Sequence, residues 1–122
     1  MSHILVIDDD PLVLAMSRDF LETAGYRVST AKDAIYSNDV IYGNDPPALI
    51  LMDVMMPLMS GDKKVRALKR RDRSSTIPVL LISGQEEAEL QRLAAEVGAD
   101  GYLAKPFDAG RLVATVRAHL PD

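Results

Sequence analysis

ILVIDDDP, residues 4–11, is an apolar run of four that ends on three carboxylates and then meets a proline. A run this short and this apolar reads as a strand buried on both faces, and Pro11 suits the first turn of a helix, where its missing N–H leaves nothing unpaired. Asp8, Asp9 and Asp10 therefore stand where strand gives way to helix. Three other stretches repeat the arrangement: Asp53 follows ALILM, Ser83 follows VLLI, and Lys105-Pro106 follows GYLA. Ligands of open α/β sheets bind outside the carboxyl ends of parallel strands, so all four sets converge on one edge if these runs share a sheet.

Working outward, apolar runs of strand length alternate with stretches of helical period, the pattern of successive βα units around a parallel sheet. Five of each are counted. Ile4 to Ile7 is the first strand, and the helix from Pro11 places Val13, Met16, Phe20, Leu21 and Ala24 on one face before Gly25 stops it. Tyr26 to Thr30 alternates like a strand nearer an edge. The helix after it, roughly Asp33 to Tyr42, is poorly patterned and ends at Gly43-Asn44-Asp45-Pro46-Pro47. Ala48 to Met52 is the central strand on composition, followed by a loop through Pro57 and Gly61 and a helix with Val65 and Leu68 facing inward. Ile77 to Ile82 is the fourth strand, and Leu90, Leu93, Ala94 and Val97 give its helix an apolar stripe closed by Gly98. Gly101 to Ala104 leads through Lys105-Pro106 to a last helix with Leu112, Val113, Val116 and Leu120 on one side.

The chain has 122 residues, 48% of them hydrophobic, which suits one domain with its own core and leaves nothing for a second. Its longest apolar run, Ala48 to Met52, is far short of the ~20 residues a membrane span needs, and no export signal is seen. A cytoplasmic location is the expectation. With no cysteine there is no thiolate nucleophile or thiolate metal site, so any metal is held by oxygen or imidazole. A net charge of -4 gives no overall footprint for nucleic acid. From Asp62 to Arg73, however, seven basic residues face two acids. The run reads as a solvated helix face, with a partner-binding patch as the alternative.

Asp8, Asp9 and Asp53 approach closely if strands one and three are neighbours, and such acids repel unless a cation neutralises them. Oxygen-only ligands favour a hard ion such as Mg²⁺, which also accepts phosphate oxygens. A carboxylate can itself attack phosphorus, and Asp53, alone on the central strand, is the candidate nucleophile. Lys105 and Ser83 can then neutralise and hydrogen-bond the phosphoryl oxygens, and a cis bond before Pro106 would aim Lys105 inward. Asp10, directly before Pro11, reads as a helix N-cap and is left out of the metal set. His3 and His119 read as structural or surface residues.

ILVIDDDP, LILMDVMMPLMSG, VLLISG and GADGYLAKPF together resemble, in order and spacing, the receiver domain of two-component response regulators, over essentially the whole chain. The resemblance implies a single receiver domain, residues 1–122. Its fold would be flavodoxin-like (βα)5: a doubly wound five-stranded parallel sheet of order 2-1-3-4-5. It implies that Asp53 accepts a phosphoryl group from a sensor histidine kinase or a histidine phosphotransfer protein. Asp9, Asp53 and the Met55 main-chain carbonyl would bind Mg²⁺ with help from Asp8. Ser83 would be the switch hydroxyl, Lys105 the phosphate-pairing lysine and Tyr102 the switch aromatic. The output would be the face made by the fourth helix, fifth strand and fifth helix, about Gln85 to His119. That face would contact a downstream protein or fused output domain, in a monomer or a phosphorylation-dependent dimer. Self-phosphorylation and slow self-dephosphorylation would be its only chemistry.

Met55 and Gln85 lie where the family varies and where side chains influence attack by water; Ala34 and the Tyr36 to Pro47 region depart from the common pattern. A haloacid-dehalogenase-type phosphohydrolase would use Asp8 and Asp10, but Pro11-Leu12 displaces its expected threonine or valine and no cap domain fits. A flavodoxin-like cofactor module needs a phosphate-cradling loop, whereas DDDP repels phosphate. A degenerate receiver is disfavoured by the intact acids, Ser83 and Lys105.

Overall fold

The computed structural model describes residues 1–56 and 59–120, so Pro57 and the terminal Pro121-Asp122 lie outside the described residues. Five strands and five helices alternate: β1 (His3–Ile7), α1 (Pro11–Thr23), β2 (Arg27–Ala31), α2 (Asn38–Ile41), β3 (Leu49–Asp53), α3 (Gly61–Arg70), β4 (Val79–Ser83), α4 (Glu87–Val97), β5 (Gly101–Ala104) and α5 (Ala109–His119). All strand pairs are parallel and the sheet order is β2-β1-β3-β4-β5, the fold expected from the sequence.

Period-two alternation within buried strands sends side chains to two cores, as a sheet covered on both faces requires. Leu5, Ile7, Ile50, Met52, Val79 and Leu81 meet Ile41 of α2, Val65 and Leu68 of α3, and Leu90, Ala94 and Val97 of α4. Ile4, Val6, Leu49, Leu51, Leu80, Ile82 and Leu103 meet Leu21 of α1 and Leu112 and Val116 of α5. Two helices thus cover one face and three the other.

Several local expectations shift. β3 and β4 each run one residue further than the apolar composition suggested, so Asp53 and Ser83 are the last strand residues rather than the first loop residues. Met16 is exposed, and Ser17 occupies the buried position beside it, because the inward stripe of α1 runs through Val13, Leu14, Ser17 and Leu21. The second helix is only Asn38–Ile41. Before it, the Asp33 carboxylate accepts the Tyr36 N–H at 2.7 Å and the Ser37 hydroxyl donates to the Ala34 carbonyl at 2.6 Å, local bonds that compete with regular helix. Gly25 and Gly98 hold positive φ after α1 and α4, as their stop positions require.

Candidate functional site

Register brings the acids together. Ile7 pairs with Met52 across the β1–β3 ladder, so the next residues, Asp8 and Asp53, leave adjacent strands side by side. Asp8, Asp9 and Asp53 each offer a carboxylate oxygen within 4.8 Å of the others. Asp8 and Asp53 are buried and Asp9 is exposed, which leaves the cluster open to solvent on one side. Asp10 stays out of it, capping α1 by accepting the Leu12 N–H at 2.9 Å, as the sequence indicated.

Lys105 closes the other side of the site. It follows β5, its N–H donates to the Ser83 carbonyl at 2.7 Å, and its peptide bond to Pro106 is cis. Its ammonium donates to Asp8 Oδ2 at 2.7 Å and to Asp53 Oδ1 at 3.4 Å. Asp8 is doubly held, since its Oδ1 accepts the Asp10 N–H at 2.9 Å. Burial pushes the Asp53 carboxyl above its ordinary value and the Asp8 charge adds to that; Lys105 and the Met55 backbone N–H pull the other way without cancelling it. For Lys105, burial alone lowers the value, but the hydrogen bond to Asp8 and the charges of Asp53 and Asp8 outweigh it and leave the ammonium more firmly protonated than usual.

Ser83 is buried at the end of β4, one step beyond Ile82, the register partner of Asp53. Its hydroxyl accepts the Gln85 N–H at 3.1 Å. Tyr102 is half-buried on β5 and packs against the core shared with α4. Met55, two residues past Asp53, is exposed. Sequence reasoning passed over the part played by Gly61. A Cβ there would collide with the Asp53 carbonyl oxygen and crowd Val54, so α3 can start directly against the β3 end only with glycine. Its N–H donates to the Val54 carbonyl at 2.9 Å.

The site is thus an acid pocket with an oxygen donor set, a buried carboxylate on the central strand, and a lysine and a hydroxyl from the next two strands. A family profile described as response regulator receiver domain matches residues 4–117. The chain belongs to that family.

This receiver is 39% identical over 98% of its length to the DNA-binding dual master transcriptional regulator RpaA of Synechocystis, and 37% identical over 98% to the transcriptional regulatory protein CpxR of Escherichia coli. The receiver spans about half of each, 49% and 50%. Among solved structures, the chemotaxis protein CheY4 of Vibrio cholerae superimposes with a TM-score of 0.90 at 30% identity, covering 98% of this chain and 99% of that one. Receiver domains belong to two-component signalling, which agrees with the sequence reading. Among the described residues no helix is long and apolar enough to cross a membrane.

The two histidines have structural surroundings. His3 is buried with Nε2 2.7 Å from Ser29 Oγ, and His119 lies over Gly101, where a Cβ would come within 2.6 Å of its Nε2. The basic run is not simply a solvated face. Lys64 is buried and donates to Asn38 Oδ1, while Lys69 bridges the Ile77 carbonyl and Asp100. These two side chains tie α3 to α2 and to the segments leading into β4 and β5.

Proposed function

We propose that this receiver is phosphorylated on Asp53 in a Mg²⁺-dependent reaction, with a sensor histidine kinase or histidine phosphotransfer protein as donor. The observation that carries this reading is the convergence of Asp8, Asp9 and Asp53 within 4.8 Å with Lys105 on their flank. The all-oxygen donor set fits Mg²⁺, which Asp8, Asp9, Asp53 and the Met55 carbonyl would hold. Bound there, the ion offsets the charge of the acids and of the incoming phosphoryl oxygens.

An Asp53 carboxylate oxygen attacks phosphorus; an acyl phosphate bond forms as the donor's P–N bond breaks, and the leaving imidazole takes up a proton. Lys105 supplies a positive partner for the transferred group. Ser83, freed from Gln85, donates its hydroxyl proton to a phosphoryl oxygen. Tyr102 sits on β5, paired with the strand that ends in Ser83, and packs on the core it shares with α4, so the inward move of Ser83 couples to the face made by α4, β5 and α5. That face contacts a downstream protein or an output domain on the same polypeptide. No turnover of a free substrate is part of this reading, and the protein works in the cytoplasm.

The test is incubation with Mg²⁺ and acetyl phosphate followed by intact mass of wild type and Asp53→Ala. One phosphoryl mass per wild-type chain, absent from the variant and from metal-free controls, is the expected result. Equal labelling of the variant removes Asp53 from the role, and steady release of phosphate over many turnovers would favour a phosphohydrolase instead.

A further inference from the structure

A second charged cluster lies at the opposite end of the sheet. α3 begins against the Asp53 carbonyl and runs away from it, so Arg70 at its end and Arg71 and Arg73 beyond it sit at the far edge. With Tyr42 and Asp72 they line a depression of about 480 Å³. Arg70 and Lys69 complement the negative end of the α3 dipole, and Lys69 is further paired with Asp100. That explanation does not extend to Arg71 and Arg73, which lie past the helix. Among the described residues none of the three arginines is in an ion pair.

Two of the arginines are nonetheless held. The Arg71 and Arg73 guanidiniums lie 4.6 and 5.7 Å from the centre of the Tyr42 ring, and Arg73 donates to the Tyr42 carbonyl at 2.9 Å. Tyr42 is fixed in turn. The hydroxyl of buried Ser74 donates to the Leu68 carbonyl at 2.7 Å, so in its 3.0 Å contact with Tyr42 the tyrosine hydroxyl is the donor. Ring contact fixes where the guanidiniums sit but does not neutralise them. Each keeps outward N–H groups, and forks positioned in advance lose little freedom on meeting an anion.

We propose that this depression binds a small phosphate-bearing ligand, of the polyphosphate or nucleoside polyphosphate class. Three arginines and one carboxylate lining a single depression suit an anion of two or more charges whose oxygens accept in pairs. The volume falls within the range of small-molecule sites. The chain's net charge of -4 disfavours a long polyanion, whose contacts would have to extend well beyond so local a patch.

The experiment is a nitrogen-detected NMR titration of the whole chain, including arginine side-chain signals, in divalent-free buffer at low salt. The probes are inorganic pyrophosphate, a nucleoside triphosphate and a single-stranded oligonucleotide. Saturable shifts at Arg70, Arg71 and Arg73 with the first two are expected. The double variant Arg71→Gln/Arg73→Gln should weaken binding by about tenfold or more, on the scale of one or two charge-assisted hydrogen bonds. Arg70→Gln, which touches neither Tyr42 nor its network, carries the test if the double variant fails to fold. Tighter binding of the triphosphate than of pyrophosphate assigns the site to nucleotides, and equal binding assigns it to the polyphosphate group itself. Shifts that never saturate, that survive both variants, that gather around Lys105, or that arise with the oligonucleotide alone overturn the proposal.

Discussion

The Lys105 ammonium is paired more closely with Asp8 than with Asp53, at 2.7 Å against 3.4 Å. A side chain whose role in the proposed reaction is to meet a phosphoryl group thus rests, before any such group is present, against a carboxylate of the metal cluster. Lysine and a divalent cation then compete for the same negative charge, and the acids are shared between them.

That competition gives the first prediction. Lys105→Met removes a cation held beside two buried carboxylates, so Mg²⁺ should bind the variant more tightly, by roughly threefold to tenfold for a unit charge partly screened by solvent. A Mg²⁺ titration followed by NMR or calorimetry reads it directly. Unchanged or weaker binding would show that Lys105 orders Asp8 for the metal rather than competing with it.

Asp53 is held above its ordinary pKa by burial first and by Asp8 second, which means that its ionised form is disfavoured by the fold. Asp53→Asn keeps the shape and removes the charge, and Lys105 retains its closer partner. Without divalent ions at pH 7, the variant should be more stable than wild type and unfold at a Tm higher by roughly a few degrees, the scale of a typical single substitution in a domain of this size. Added Mg²⁺ should raise the wild-type Tm and raise the variant's much less. Thermal unfolding of both proteins with and without the ion checks this, and a variant less stable than wild type at every Mg²⁺ concentration would contradict it.

How far the sequence carried these conclusions depends on whether a residue's role is written into local pattern. Asp8, Asp53, Ser83 and Lys105 were legible because each ends an apolar run, and parallel pairing turns that position into proximity. Asp10 was legible because an acid before Pro11 has a local task. Lys64 was not: in a basic run nothing marks the one lysine whose stem faces α2 rather than water. Met16 misled because a 3.6-residue period fixes a face only to within about one residue, and Ser17, a poor guess for a buried position, took the place instead. Gly61 gave no sign of its contact with the Asp53 carbonyl, since that closeness arises only when α3 folds back on β3.

Met55, two residues past Asp53, is exposed and has an apolar side chain that cannot hold water by a hydrogen bond. Under the proposed phosphorylation, loss of the phosphoryl group by hydrolysis should be slow. Met55→Asn should speed it by about tenfold, short of the ~10²–10⁴ that a positioned general base contributes. The comparison is the decay of phosphorylated wild type and variant after the donor is removed, followed by intact mass. Equal decay removes Met55 as a determinant of lifetime.

Lys64 supplies a pH signature remote from the acid site. Burial, with the nearby charge of Arg71, lowers its pKa below the ordinary lysine value, and Asn38 offers a neutral oxygen rather than a countercharge. The folded state therefore releases the Lys64 proton at lower pH than the unfolded chain does. Between the lowered value and ~10.5 the unfolded state holds more protons, so this residue makes stability rise with pH across that window; below it, the cost of the buried ammonium is present in full. Lys64→Met lacks the titrating group. The difference in unfolding free energy between wild type and Lys64→Met, from urea denaturation at intervals between pH 7 and about 10, should move in favour of wild type as pH rises. Taking the difference cancels groups common to both, Lys105 included. A difference that stays constant across that range, or that moves toward the variant, would mean that Asn38 and the surrounding backbone solvate the ammonium as well as water does.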